Sequence, residues 1–295
     1  LAGMVVGEDP LRIEAVTGKL RALGGNLGPG GVMAHAVAAI DIALWDIKGK
    51  ASNLSLAKMV GGHRDRVVTY ASGALMRFYS LDHCLKAAPK LVERGFRQMK
   101  MQLAIPGNKN PNIEVERARK IREAIGPDIA LMVDANQQMS VKQAIRIGRM
   151  MEDLNLTWFE EPVICHDHEG EAEIRAALDT PIASGETVYT HRGILTMLQA
   201  GSADILMPDL QRMGGPAEFL KAGHLCEAFH IPCSSHLFPE MSLGLLASLP
   251  GGHYLEHMPW FEKIYRERIE LDANGHAIVP DRPGWGFSFD QEAAA

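Results

Sequence analysis

Three acidic residues, Asp134, Glu160 and Glu186, follow one another at intervals of 26 residues. Each closes a short apolar segment: ALMVD, TWFE and, through a glycine, PIASGE. Carboxylates brought together repel one another and lose hydration, so a cation must sit among them. Oxygen ligands with room for water and substrate suit Mg2+. Unrelated surface acids are the bland alternative, and three acids in register at successive segment ends argue against it. His236 and Asp209 end two further apolar segments. A carboxylate beside an imidazole fixes its tautomer and raises its basicity, which makes a general base or acid. Lys100 lies between Met99 and Met101, with Leu103 beyond. A lysine there is costly unless it is used, or unless it neutralises an inward acid such as Glu256. Strand alternation puts Gln102 on the face of Lys100 and Asn136 on the face of Asp134. His166, Asp167 and His168 follow the fourth segment and could bind substrate hydroxyls, His168 being the candidate kept; a solvated loop is the alternative.

The elements that must position these residues repeat regularly. Apolar strands are expected at 66–72, 97–103, 130–136, 157–161, 181–185, 203–208, 231–235 and 253–257. Amphipathic helices are expected between them, for example at 113–125, 140–153, 169–178, 191–200 and 216–229. Strand and helix in alternation mean a parallel sheet with helices outside, and eight strands mean a closed barrel. Catalytic groups in such a barrel sit at the C-terminal strand ends, where the acids, His236 and Glu256 fall. Adjacent strand residues face opposite sides, so Glu161 points away from Glu160 and supports the strand. Ahead of the barrel, 12–23 and 33–50 read as helices, with Gly24–Gly31 as a flexible connection. The organisation predicted is a helical part of a capping domain over 1–64, a barrel over 65–260 and a C-terminal return over 261–295. Trp45, Trp158 and Trp260 are read as packing residues.

With 46% hydrophobic residues in 295, the chain can build one large domain and a smaller one. A net charge of -6 without any basic block argues against nucleic acid and anionic membranes. No apolar run reaches the roughly 18 residues of a membrane span. Cys84, Cys165, Cys226 and Cys233 form no metal-like spacing, so buried thiols in a reducing cytoplasm are expected. The chain begins at Leu1 rather than Met and enters helix-like sequence at once, so a preceding segment is expected.

Taken together, HAVAAIDIALWDIKGK (35–50), GFRQMKMQ (95–102), LMVDANQ (131–137), WFEEP (158–162), LMPDLQRMGG (206–215), PCSSHLF (232–238) and YLEHM (254–258) resemble the mandelate racemase subgroup of the enolase superfamily, in the mandelate racemase / muconate lactonizing enzyme family. The resemblance implies an α/β fold: a modified TIM barrel, (β/α)7β, with an α+β capping domain that is partly missing here. It implies Asp134, Glu160 and Glu186 as Mg2+ ligands, and His236 with Asp209 as the proton-transfer dyad. It further implies Glu256 as the acid that hydrogen-bonds the forming enediolate, with Asn136 beside metal and substrate. Such sites pair a Lys or His base with one or two Mg2+. A homo-oligomer is implied by resemblance alone.

One departure narrows the reaction. The racemase carries Lys-x-Lys on the second strand, and here the run is Lys100-Met101-Gln102. An amide neither accepts nor delivers a proton near neutral pH. Racemisation needs proton carriers on both faces of the α-carbon, whereas dehydration needs one base and assistance to a leaving β-hydroxyl. The expectation is therefore dehydration of an acid sugar, a small carboxylate, to a 2-keto-3-deoxy acid, with His236 as base and acid. A racemase or epimerase using Lys100, and a non-catalytic metal- or metabolite-binding barrel, are the alternatives.

Overall fold

The computed structural model describes residues 1–293, except for the side chains of residues 25–27; the last two residues of the expected C-terminal return, 294–295, lie outside it. Seven strands, β1 (Arg66–Leu75), β2 (Gln98–Gln102), β3 (Ala130–Asp134), β4 (Phe159–Glu160), β5 (Ile182–Ser184), β6 (Ile205–Leu206) and β7 (Leu255–His257), pair in the order β6-β5-β4-β3-β2-β1-β7. All of these pairings are parallel. The expected strand at 231–235 is not continuous. Cys233 instead makes single parallel bridges to Leu206 and Gly252, and His236 makes one to Asp209. Pro232 has no N–H to give. The Ser234 and Ser235 hydroxyls accept the Tyr254 and Glu256 amides at 3.2 and 3.3 Å, drawing those donors from a regular ladder. The bridges still close the sheet into a ring, as the eight-strand pattern predicts. β8 (His276–Ile278), in the C-terminal return, pairs antiparallel with the start of β1.

The expected helices form at Pro111–Ile125, Val141–Met151, His168–Ala177, Thr190–Ala200 and Pro216–Ala228. Two more stand at Leu81–Glu93 and Pro239–Ser248. Local signals set their starts: Ser140 and Gln143 form a capping box, and Asn110 caps a helix whose first residue is Pro111. Ahead of the barrel lie Ile13–Leu27 and Gly31–Ser52. The Gly24–Gly31 stretch is thus not all connection, because the first helix runs through Gly24 and ends at Gly28 (φ 84°), whose N–H bonds Gly24 O at 2.7 Å. The helix stops at a glycine whose positive φ an L side chain rarely adopts, one turn beyond the first glycine pair.

Inside the ring, Tyr70, Met132, Trp158, Ala183, Ile205 and Met207 form an apolar floor. Tyr70 and Trp158 meet edge to face at 5.2 Å. Burying side chains of this size is worth roughly 2–3 kcal/mol each, so the floor fixes the height at which the polar residues above it sit. Trp45 is half-buried, whereas Trp260 is 56% exposed and does not pack as expected, because it lies where the chain leaves β7. Cys84, Cys226 and Cys233 are buried, Cys165 is half-buried, and all four are free thiols. Among the described residues no helix is long and apolar enough to cross a membrane.

His253, at the bridge that closes the ring, has its pKa lowered to about 4, first by burial and then by Arg64. A folded value below the unfolded 6.5 keeps the ring neutral in the native state. Its contribution is therefore complete above pH 6.5 and is lost as pH falls towards 4, on the order of 3 kcal/mol. Urea midpoints at pH 7 and 4.5 should show this loss. His253→Gln should flatten the slope, and an unchanged slope would contradict the assignment.

Candidate active site

The barrel mouth collects most of the residues singled out above. In the register of β3 and β4, Asp134 pairs directly with Glu160. Glu186 follows β5 through Gly185, whose φ of 114° turns the chain where an L side chain is strained. Lys100 rises from β2 over the Tyr70 ring at 5.5 Å. Its ammonium lies 2.5 Å from Glu160 Oε1, 3.1 Å from Glu256 Oε1 and 3.5 Å from Asp134 Oδ2. All four residues are buried. Trp158 Nε1 donates to the other Glu160 oxygen at 2.8 Å, so Trp158 is a site residue as well as a core one. Asn136 donates its backbone N–H to Asp134 Oδ1 at 2.7 Å and its side-chain amide to Oδ2 at 2.9 Å.

The His236–Asp209 pair forms as expected. Asp209 Oδ2 lies 2.7 Å from His236 Nδ1. Asp209 Oδ1 accepts the Gln211 and Arg212 amides at 2.8 Å each, which locks the carboxylate. His236 Nε2 faces Glu186 Oε2 at 3.2 Å, and Arg212 Nη1 holds Glu186 Oε1 at 3.5 Å. Leu237 N donates to Glu256 Oε2 at 2.7 Å.

Charge explains the pKa directions. Burial raises the Asp134 and Glu160 carboxyls, with Lys100 opposing. Burial alone would lower Lys100, but Glu160 and Glu256 raise it well above its ordinary value. Burial would likewise raise Glu256, but Lys100 and His236 bring it to about 2. In this arrangement Glu256 accepts the Leu237 amide and faces the Lys100 ammonium. His236 reaches about 9, because Glu186 and the Asp209 hydrogen bond outweigh burial.

Two expectations are met only in part. Among the described residues, no three Asp, Glu, His or Cys side chains stand close enough to surround one ion. Asp134 and Glu160 each contact Lys100, and Glu186 contacts His236 and Arg212. His168 does not join the mouth. It opens its helix, and its Nδ1 lies 3.7 Å from Glu171, which is bonded in turn to Ser184 between helix and sheet. Gln102 does reach the mouth, donating to Asn136 Oδ1 at 2.9 Å.

Glu161 faces away from the lumen and is buried. It accepts Gln137 Nε2 at 3.0 Å and Thr187 Oγ1 at 3.1 Å, tying the ends of β3, β4 and β5 together. Arg77 was not singled out from the sequence. It lies beyond Leu75, the last residue of β1, and donates to Gln102 and Asn136. Extending β1 by three residues would have placed it at a strand end.

Residues 1–61 match the mandelate racemase / muconate lactonizing enzyme N-terminal domain, and residues 83–294 match the enolase C-terminal domain-like family. L-talarate/galactarate dehydratase of Salmonella typhimurium is 38% identical over 293 residues, covering 99% of this chain and 73% of that protein. Arabinonate dehydratase of Saccharolobus solfataricus is 31% identical, covering 98% and 79%. The crystal structure of L-talarate dehydratase from Polaromonas sp. JS666, complexed with Mg and L-glucarate, superposes with a TM-score of 0.93 at 35% identity, covering 99% and 81%. With matches to both domains and relatives aligned along almost its whole length, the chain belongs to the mandelate racemase / muconate lactonizing enzyme family of the enolase superfamily.

Proposed function

We propose that the protein is a Mg2+-dependent hydro-lyase that dehydrates an acid sugar to a 2-keto-3-deoxy acid. The observation that carries this reading is the proton-carrier inventory at the mouth: one imidazole oriented by Asp209 at 2.7 Å, and an amide, Gln102, where a second base would stand. Such a site can take an α-proton and return it to a leaving hydroxyl, while the Lys100 amine beside it is held as an ammonium by Glu160 and Glu256.

The donor chemistry fits the metal. Asp134, Glu160, Glu186, Asp209 and Glu256 are buried carboxylates, and facing them inside are Lys100 and His236. The excess of negative charge, carried on hard oxygen ligands at three adjacent strand ends, suits a divalent cation of the Mg2+ type. Asp134, Glu160 and Glu186 would hold it. When bound, Mg2+ supplies Lewis-acid stabilisation for charge building on the substrate carboxylate. Lys100 adds an ammonium aimed at the same region, and Asn136 keeps Asp134 oriented. The named relatives, which include dehydratases of talarate, galactarate and arabinonate, support the substrate class. Four free thiols accord with a cytoplasmic setting, and a homo-oligomer is part of the proposal on family grounds.

Incubating the protein with Mg2+ and a panel of aldarates and aldonates, and assaying keto acid, tests the reading. At least one acid should give a 2-keto-3-deoxy product, and none should react in EDTA. A panel without product would sink it. The tie behind the acids gives a separate prediction. Glu161→Ala should weaken Mg2+ binding about 10–100-fold in calorimetry, and Glu161→Gln should retain most of the affinity. Equal losses in the two variants would mean that the Gln137–Thr187 contacts do not position the ligands.

A further inference from the structure

The barrel mouth carries a second cationic feature that the proton chemistry does not use. β1 contains two more residues than β2 between paired positions, Ala71 with Met99 and Leu75 with Met101. Gly73, at φ 84°, lies in that irregular stretch. The chain therefore leaves β1 leaning over β2, and Arg77 sits half-buried above Gln102 and Asn136. Its Nε and backbone N–H both point to Gln102 Oε1 at 3.4 Å, its Nη2 donates to Asn136 Oδ1, and its Nη1 reaches Ala135 O at 3.5 Å. Every one of these acceptors is neutral. Among the described residues no carboxylate oxygen lies within 4.0 Å of this guanidinium, whereas Arg212, the other arginine of the mouth, is paired with Glu186.

A half-buried guanidinium held on neutral amides forgoes its best partner. Its planar fork matches a carboxylate in two parallel hydrogen bonds, which one close contact to an amide oxygen and two long ones to Gln102 Oε1 and Ala135 O do not replace. Asn136 links this rim to the reaction centre, since its amide nitrogen is on Asp134 and its oxygen is shared by Gln102 and Arg77. A ligand whose reacting carboxylate lies by Lys100 and Asp134 would therefore extend its far end along the Asn136 side towards Arg77. We propose that Arg77 binds the distal carboxylate of the substrate, making the enzyme selective for aldarates, the diacids, over aldonates of the same configuration. The inference rests on the acid-sugar reading and decides between two kinds of acid that relatives in the family use.

The test compares matched pairs, galactarate with galactonate and D-glucarate with D-gluconate, which differ only at the far carbon. With the Mg2+-loaded protein, calorimetry gives the affinity of each acid, and the panel assay gives kcat/KM where turnover occurs. The diacid of a bound pair should be favoured. Arg77→Met should lower the diacid-to-monoacid ratio by roughly 30-fold or more, as for truncation of one partner of a buried charge pair, with Arg77→Lys intermediate. Mg2+ affinity should be the same in all three proteins, which a purely structural role would not predict. A wild-type preference for monoacids, or equal losses for both members of a pair, would overturn the proposal. Binding without turnover would refute the proposed reaction alone, since the affinity ratio still decides the role of Arg77. Failure to bind any of these acids would overturn both.

Discussion

His236→Asn is expected to lower kcat for the best acid by about 10^2–10^4-fold, the usual contribution of a positioned acid–base group. The argument is geometric. Asp209 accepts two backbone amides and His236 Nδ1, so the imidazole has one orientation, with Nε2 directed into the acid-lined mouth. Asparagine keeps a polar group near Asp209 but carries no proton of suitable pKa. The variant should fold and retain Mg2+ affinity within a few-fold, since the acids assigned to the metal are untouched. Kinetics beside calorimetry check this. A variant with near wild-type kcat would remove His236 from the mechanism, and one that lost Mg2+ altogether would give it a ligand's role.

Lys100→Met should have the largest effect on stability. The ammonium touches three carboxylates, and Glu160 is completely buried. Removing the cation leaves these charges without compensation, a change that costs about 3–5 kcal/mol when one partner of a buried pair is deleted. In EDTA the urea midpoint should fall accordingly. Mg2+ binds the folded state alone, so it should recover much of the loss in the variant. Equal stability of variant and wild type in EDTA would show that the acids find another partner or take up protons.

Much of this arrangement is legible in the chain. The equal spacing of Asp134, Glu160 and Glu186 follows from successive strand–helix repeats, and each acid does stand at a strand end at the mouth. The His236–Asp209 pair is visible because their segments are neighbours in a ring. What the sequence conceals depends on side-chain neighbours. The choice of Lys100 as partner for Asp134 and Glu160 is set between side chains of the neighbouring strands β2, β3 and β4, not along any one strand. His168 looked available because its loop follows β4, but the helix that begins there turns it towards Glu171. Arg77 escaped notice because β1 runs three residues past its expected end, through Gly73, which carries no strand-like side chain. The broken strand at 231–235 escaped for the opposite reason: its apolar start reads as a strand, while Pro232 and the serine hydroxyls interrupt the ladder.

The most direct test of the central claim follows the α-carbon itself. The Mg2+-loaded protein is incubated with its best acid in D2O, and both product and recovered substrate are examined by proton NMR for deuterium and configuration at C2. A single proton carrier predicts a 2-keto-3-deoxy product, with any deuterium in recovered substrate held in the original configuration. Recovered substrate inverted at C2, at a rate matching product formation, would contradict the account and require a second base on the face where Gln102 stands.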